Sequence, residues 1–205
     1  MKLIGMLDSP YVRRVAISLD VMGVPFEHSA LSVFSEYEAF GAINPVVKAP
    51  SVVLDDGSVL MDSTLIIDYF EALSPAEQKL MPHQALPLAA SLRTLGLALA
   101  ACEKAVQIVY EYQLRPEEKR HQPWLERVTQ QLLAACRAWN TQLSERQPVS
   151  VLPDRPGQID ITSAVAWSFI QLMVADVVKA DAFPALQAHA ARWEATELFK
   201  RYPQG

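Results

Sequence analysis

The sequence predicts a chain in two parts, an α/β N-terminal domain followed by an all-helical C-terminal domain. Up to about residue 73, short β-like apolar runs alternate with helical ones in the order βαβ and then ββα. Beyond residue 87, apolar residues recur almost throughout with helical spacing. Three prolines between these parts, among polar residues, are typical of a linker. We therefore predict a first domain at residues 1–75, a linker at 76–87 and a helical domain at 88–205.

The first domain is predicted to contain a mixed four-stranded sheet and two helices. The first helix carries apolar side chains on one face, and Gly23 is placed to end it. Asp56-Gly57 lies between two apolar runs, which predicts the tight turn of an antiparallel hairpin at the sheet edge. The predicted strands are 2–6, 25–31, 51–54 and 59–61, and the predicted helices are 10–22 and 63–73.

The second domain is predicted to consist of amphipathic helices only. Its periodic apolar segments are long and contain few turn signals. The predicted helices are 88–113, 124–145, 158–179 and 184–200.

Charge and composition exclude several classes of function. The formal net charge is −5 and the basic residues are scattered, so the sequence has no patch for nucleic acid or an anionic membrane. The longest uncharged run, 161–175, is shorter than the roughly 18 residues of a spanning helix, and we expect no membrane association. Only a few apolar residues separate Lys2 from Asp8, so we predict no signal peptide.

The two cysteines favour a reducing compartment. Cys102 and Cys136 are far apart and lie in helical patterns, which suggests neither a disulfide framework nor a metal site. The four histidines show no metal-ligand spacing either. We therefore expect a cytoplasmic protein without a metal.

Ser9 lies where the first strand turns into the first helix. Ser9 can act as the N-cap with Pro10 at the first helical position, and this structural role is the usual one for Ser-Pro. The same helix end presents free N–H groups and a partial positive charge, which stabilise an anion such as a thiolate. Because a hydroxyl can donate and accept at once, the two roles are compatible.

A set of short motifs resembles the cytosolic glutathione S-transferase family, in particular serine-type members of the bacterial kind. The motifs are the SPYVRRV start of the first helix, Asn44-Pro45, the KAPSVV segment at 48–53 and Asp62-Ser63, and the resemblance extends through the all-helical second half. It implies a thioredoxin-like first domain and glutathione as co-substrate. Thioredoxin-like proteins carry a cysteine pair at the start of this helix, and here both sulfurs are absent. Thiol–disulfide exchange is therefore disfavoured, and activation of the glutathione thiol is expected instead.

The resemblance assigns roles to residues of the first domain. Ser9 is the expected catalytic group that stabilises the glutathione thiolate, and Tyr11 is the rival hydroxyl because some family members use tyrosine. Ala49-Pro50 is expected to be a cis peptide that turns the Ala49 backbone toward the cysteinyl part of glutathione. Lys48 is either a contact for the glycyl carboxylate or a solvated loop lysine.

Asp62-Ser63 precedes the last helix of the first domain. Either residue can be an ordinary N-cap, which is the commonest meaning of such a pair. By resemblance, the exposed N–H groups and the Ser63 hydroxyl hold the γ-glutamyl carboxylate, and Asp62 attracts the α-ammonium group.

The predicted activity is transfer of glutathione to a small hydrophobic electrophile, as in detoxification, by a homodimer. By analogy, the electrophile pocket is walled by Tyr110, Tyr112 and Trp167, although each is more often a packing aromatic. One alternative is a glutathione-transferase-like binding or regulatory protein without catalysis. Another is a glutathione-dependent isomerase acting through transient addition of glutathione at the same site.

Overall fold

The computed structural model describes residues 1–145 and 155–205, and their contacts form two compact units. The first unit comprises Met1–Leu80, Thr196–Gly205 and a short segment that ends at Gly157. The second comprises the remaining described residues between Met81 and Ala195. The predicted boundaries, 1–75, 76–87 and 88–205, stay a prediction. They differ from this division because Thr196–Gly205 groups with the first unit.

The first unit contains a mixed four-stranded sheet in the order β2-β1-β3-β4. β1 runs parallel to β2 and antiparallel to β3, and β3 and β4 form the predicted hairpin. Leu3 pairs with His28 on one side and Val52 on the other, and both Leu3 and Val52 are fully buried. The strands are β1 Lys2–Ile4, β2 Glu27–Ser29, β3 Ser51–Val53 and β4 Val59–Met61. The predicted fold class, a thioredoxin-like domain followed by helices, is confirmed.

Three helices follow the strands of the first unit: α1 Pro10–Val21, α2 Tyr37–Ile43 and α3 Ser63–Leu73. α1 and α3 pack against each other through buried apolar side chains such as Val15 and Ile66. α2 was not predicted. It buries only Phe40, so its sequence lacks the apolar periodicity that identifies a helix.

The second unit contains four helices: α4 Ala85–Gln113, α5 Gln122–Glu145, α6 Gln158–Val174 and α7 Pro184–Glu194. α4 packs on α5 and α6, and α7 packs on α5 and α6. The predicted helix 158–179 is too long, because α6 ends at Val174. The predicted helix 184–200 is interrupted, because the Thr196 hydroxyl accepts from the Phe199 amide at 3.4 Å and caps a separate helix, α8 Glu197–Lys200.

α4 is the one helix of the described ranges that is long and apolar enough, by length and composition, to cross a membrane. Its most apolar 18-residue window has a mean hydropathy of 1.6, and a third of that window is buried. Leu95, Ala98 and Ala101 on this helix belong to the core of the second unit, which accounts for much of its apolar composition. The expectation of no membrane association stays a prediction.

Candidate functional site

Ser9 caps the N-terminus of α1. Its Oγ accepts a hydrogen bond from the Val12 amide at 3.4 Å, and Pro10 occupies the first helical position. The side chain is half-buried, and its backbone is held on both sides: the Ser9 amide donates to Met6 O at 3.2 Å, and the Arg13 amide donates to Ser9 O at 3.0 Å. The interpretation of this residue as a helix cap is therefore correct. The arrangement leaves the Ser9 hydroxyl proton available for donation.

Gly5 brings the start of α1 close to the loop that carries Ala49. A Cβ atom on Gly5 would lie 2.6 Å from Val12 Cγ2, closer than carbon atoms can approach, and 3.1 Å from Ala49 Cβ, which is already tight. Gly5 also has φ +136°, which side-chain-bearing residues rarely adopt. Val12 is one helical turn from Ser9. The absence of a side chain at Gly5 thus allows Val12, in the first turn of α1, and Ala49 to pack closely around the same residue.

A hydrogen-bond network shapes the loop between α2 and β3. The buried Asn44 side chain donates to Ser51 Oγ at 2.9 Å and accepts from the Val46 amide at 3.0 Å. Ser51 Oγ in turn donates to Lys48 O at 2.8 Å. Within this braced loop, the Ala49–Pro50 peptide is cis, as the resemblance implied.

Asp62 caps α3 with its side chain. Its Oδ1 accepts from the Thr64 amide at 2.9 Å and from the Leu65 amide at 3.5 Å. Asp62 adopts φ 74°, an uncommon conformation for a residue other than glycine and one that is concentrated at functional sites. The first amides of α3 are thus partly used by Asp62. Ser63 keeps both an amide N–H and a hydroxyl proton to donate at this helix end.

Arg14 connects α1 to the start of α3, and sequence reasoning gave it no role. The side chain is only 3% exposed, and its Nη1 donates to Ser63 Oγ at 3.0 Å and to Thr64 Oγ1 at 3.2 Å. A guanidinium that donates to a hydroxyl oxygen leaves the hydroxyl proton free for another acceptor. The signal for this role was weak, because Arg14 was one of two adjacent arginines on a helix.

Lys48 lies near the α3 end of the site. Its Nζ is 4.0 Å from Asp62 Oδ2, and both side chains are about half exposed. An exposed pair of this kind contributes little to stability. Lys48 therefore bridges the 44–51 loop and the N-cap of α3, and its predicted contact with a glycyl carboxylate stays a prediction.

Tyr11, half-buried in the first turn of α1, stays a second candidate for the thiol-activating hydroxyl. The structure brings the turn that bears Ser9 and Tyr11 close to Ala49 through Gly5, and α1 close to Ser63 through Arg14. The seven predicted glutathione contacts therefore lie on three segments of the first unit: the start of α1 and two segments that approach this helix. They are Ser9, Tyr11, Lys48, Ala49, Pro50, Asp62 and Ser63.

The three residues predicted for an electrophile pocket have different environments. Trp167 is 1% exposed, packs edge-on against Trp139 and Phe183, and donates from Nε1 to Gln187 at 2.9 Å. It is a core residue of the second unit, which corrects its predicted place in the pocket wall. Tyr110 and Tyr112 are each about half exposed on α4. Since residues two apart project from different sides of a helix, they do not share one face, and their role stays a prediction.

The cysteines are poorly placed for nucleophilic chemistry. Both are buried, and burial raises the pKa of the Cys136 thiol to about 12. Because the thiolate is the reactive form, Cys136 is not a candidate nucleophile. Throughout the described ranges, no group of three His, Cys, Asp or Glu side chains is arranged to hold a metal ion.

The N-terminal part of the chain matches a known domain family. Residues 3–78 match the model of the glutathione S-transferase N-terminal domain. Glutathione S-transferase U4 of Arabidopsis thaliana is 32% identical over 72 residues, which are 35% of this chain and 32% of that protein. Among the first curated relatives, the matched part of the chain spans between about a third and a half of the relative's length.

Solved structures match over nearly the whole chain. A glutathione S-transferase of Methylobacterium radiotolerans in complex with glutathione sulfonate has a TM-score of 0.87 and 25% identity, covering 98% of this chain and 93% of its own. One of Methylobacillus flagellatus with glutathione bound has a TM-score of 0.86 and 22% identity, covering 100% and 99%. At 22% identity, the similarity to the Methylobacillus flagellatus protein is a similarity of fold alone.

Proposed function

Because residues 3–78 belong to the glutathione S-transferase family and the whole chain has that family's fold, we propose that the protein is a glutathione transferase. It binds reduced glutathione in the first unit and transfers the glutathionyl group to a small apolar electrophile. The observation that carries this proposal is the convergence on α1 of Ser9, the Ala49 loop and Ser63. Solved structures of the same fold contain glutathione or glutathione sulfonate, which supports glutathione as the ligand.

Ser9 stabilises the thiolate of glutathione. Its Oγ accepts from the Val12 amide, so its proton can be donated to the sulfur, and the N-terminus of α1 adds a partial positive charge. Lowering a thiol pKa from about 8.5 by two units takes roughly 2.7 kcal/mol. One charge-assisted hydrogen bond together with a helix end is sufficient for a stabilisation of this size. Ser9 is proposed ahead of Tyr11 because Ser9 is the residue at the helix cap.

Ser63 holds the γ-glutamyl carboxylate by its amide and hydroxyl donors. Arg14 donates to Ser63 Oγ at 3.0 Å, which orients the hydroxyl proton away from the guanidinium and toward an incoming carboxylate. The positive charge of Arg14 favours an anion at the same place. Asp62, one of whose carboxylate oxygens caps α3, attracts the α-ammonium group with the other.

The Ala49 backbone and Lys48 hold the rest of glutathione. The Asn44 and Ser51 side chains fix the loop, so the Ala49 amide and carbonyl are positioned in advance to pair with the extended cysteinyl unit. Lys48 meets the glycyl carboxylate as a point charge when it leaves the exposed pair with Asp62.

Once bound as a thiolate, glutathione attacks an electrophilic carbon and a C–S bond forms, giving a thioether. With an aryl halide, the carbon–halogen bond then breaks and the halide leaves with the bonding electron pair. Catalysis then consists mainly of thiol activation and proximity. The exposed Tyr110 and Tyr112 on α4 are aromatic surfaces suited to a small apolar electrophile. Detoxification in the cytoplasm is the proposed physiological setting.

The protein is proposed to act as a homodimer through α3. Leu65, Tyr69 and Leu73 recur every fourth residue on this helix, and Leu65 and Leu73 are 63% and 66% exposed. Val59 and Met61 extend the apolar surface onto β4, which packs beside α3. Exposed apolar stripes of this kind mark interaction surfaces.

Turnover with a small activated aryl halide tests the proposal. The wild type is expected to form the thioether with glutathione faster than the uncatalysed reaction near neutral pH, and Ser9→Ala is expected to lower kcat by about tenfold or more. Ser58→Ala, in the exposed β3–β4 turn, is the matched control and should turn over like the wild type. Wild-type rates equal to the uncatalysed rate with several electrophiles would move the function to a non-catalytic binding protein.

A further inference from the structure

The 199–205 segment, which follows α7 by only a few residues, lies along α1 rather than in the helical unit. Arg201 Nη2 contacts Asp20 Oδ2 at 2.8 Å, near the end of α1. Arg13 Nε, near the start of α1, donates to Tyr202 O at 2.7 Å. A Cβ atom on Gly205 would lie 3.9 Å from Asp8 Cβ, just before the helix. The segment therefore runs antiparallel to α1 and ends beside the turn that bears Ser9.

The contacts are spread along α1. Arg201 is still helical in conformation and closes α8, and its side chain reaches Asp20 near the end of α1. Ten helical residues from Asp20 back to Pro10 span about 15 Å, a length that the Arg201 side chain and the three residues after Tyr202 cover between them.

The two adjacent arginines of α1 contact different parts of the first unit. Arg14 reaches Ser63, as described above, whereas Arg13 faces the 199–205 segment. Arg13 is 2% exposed and its guanidinium carbon lies 5.7 Å from the centroid of the fully buried Phe199 ring. The backbone amide of the same residue donates to Ser9 O at 3.0 Å. Arg13 therefore links the segment to Ser9 by two consecutive hydrogen bonds.

Further contacts hold the segment in place. The Tyr202 ring stacks on Phe26 with centroids 6.2 Å apart and an interplanar angle of 23°. The carboxylate of Asp20 also lies near the Tyr202 phenol and, in addition to burial, helps to raise the pKa of that group. The anchoring is consequently strongest around Asp20 and Tyr202, and the chain beyond reaches Asp8.

We propose that the 199–205 segment is a positioning element for the Ser9 turn, acting through Arg13 and through the close approach of Gly205 to Asp8. It holds the cap of α1 in the geometry that the thiolate requires. The part of this inference that concerns the thiol rests on the proposed glutathione transferase function. The part that concerns the Ser9 turn does not.

Charge reversal of the exposed anchor tests the proposal. Arg201→Asp places a carboxylate against Asp20 and is expected to release the segment. Hydrogen exchange at the Ser9 and Arg13 amides should accelerate by about five- to tenfold relative to the Val52 amide of β3. The pKa of the bound glutathione thiol should rise by about half a unit. The doubly reversed variant Asp20→Arg/Arg201→Asp should return both values toward those of the wild type.

Lys200→Asp is the matched control, because it reverses a positive charge at the neighbouring position. It removes the 2.8 Å ion pair with Glu197 inside α8 and leaves the Arg201–Asp20 pair in place. Exchange at Ser9 and Arg13 that is unchanged in Arg201→Asp, or that matches Lys200→Asp, overturns the proposal. If Arg201→Asp does not fold, Arg201→Gln removes the charge without repulsion and the same comparison applies. If the wild type binds no glutathione, the proposed function fails, and the exchange measurement still decides whether the segment positions the turn.

Discussion

Arg14 Nη1 donates to Ser63 Oγ across 3.0 Å, and this buried hydrogen bond joins the helix that carries Ser9 to the helix that begins at Ser63. The two ends of the proposed glutathione site are therefore mechanically and electrostatically linked through one guanidinium. Charged donors form stronger hydrogen bonds than neutral ones, which makes this contact a sensitive point of the site.

Replacing Arg14 should weaken glutathione binding. Arg14→Gln removes the charge and the charge-assisted hydrogen bond to Ser63, and we expect about a tenfold loss of affinity, ~1.4 kcal/mol, in a calorimetric titration. Arg14→Lys, which keeps the charge, should recover part of the affinity. A thermal unfolding curve for each variant separates loss of binding from loss of fold. Affinity for glutathione equal to that of the wild type in a folded Arg14→Gln would contradict the assigned role.

Ser9 and Tyr11 should differ in their effect on the bound thiol. Ser9→Ala is expected to raise the pKa of bound glutathione by about one to two units, because the sulfur loses a hydrogen-bond donor. Tyr11→Phe should leave that pKa unchanged. Thiolate absorbance measured against pH provides both values. The reverse pattern, a shift in Tyr11→Phe only, would transfer the role to Tyr11.

Gly5 should be intolerant of a side chain. Gly5→Ala forces a methyl group to 2.6 Å from Val12 at φ +136°, and we expect a loss of about 2 kcal/mol or more in the free energy of unfolding. Gly96→Ala is the matched control. Gly96 lies on the exposed side of α4, where an added methyl group would have no atom within 4 Å, and alanine there should stabilise the helix by about 0.5–1 kcal/mol. Urea unfolding of the two variants measures the contrast, and equal stabilities would show that the close approach at Gly5 is relaxed in solution.

The raised pKa of Tyr202 predicts a loss of stability at alkaline pH. Burial, and then the negative charge of Asp20, raise the pKa of the Tyr202 phenol from 10.0 to about 12. The folded state therefore favours the neutral phenol, and the stabilisation is fully present below pH 10 and is lost as the pH rises toward 12. The free energy of unfolding of the wild type should fall more steeply across this window than that of Tyr202→Phe. Parallel curves would show that the Tyr202 phenol titrates alike in the folded and unfolded states.

The apolar stripe on α3 should control the oligomeric state. Leu65→Glu places a charge in the proposed interface and is expected to convert a dimer to a monomer, as measured by sedimentation equilibrium. Leu172→Glu changes a comparably exposed leucine on α6 and serves as the control. A wild type that sediments as a monomer, or a Leu65→Glu variant that remains dimeric, would contradict the proposed dimer.

The fold was largely predictable from the sequence because its elements carry strong local signals. Asp56-Gly57 identified the β3–β4 hairpin, and Ser9-Pro10 identified the start of α1. The helix at Ser63–Leu73 was predicted with its observed bounds. α2 escaped prediction because burial of one residue, Phe40, leaves no periodic pattern to recognise.

The candidate site was predictable where it depends on caps and turns and not where it depends on buried polar packing. The cis Ala49–Pro50 peptide was implied by the family resemblance, and the Asp62-Ser63 pair predicted a cap that the structure places at Asp62. The burial of Arg13 and Arg14 was not predictable, since arginines on a helix usually remain at the surface and only the tertiary structure supplies their partners. Trp167 was assigned to a pocket wall although it is buried in the core. The sequence alone does not reveal whether an aromatic side chain lies in a core or on a surface.

A calorimetric titration of the purified protein with reduced glutathione near neutral pH tests the central claim most directly. We expect saturable binding that Ser63→Ala weakens by about tenfold, through loss of the hydroxyl that Arg14 orients, and that Ser58→Ala leaves unchanged. Absence of binding by the wild type up to millimolar glutathione, or equal binding by Ser63→Ala, would contradict the site as described.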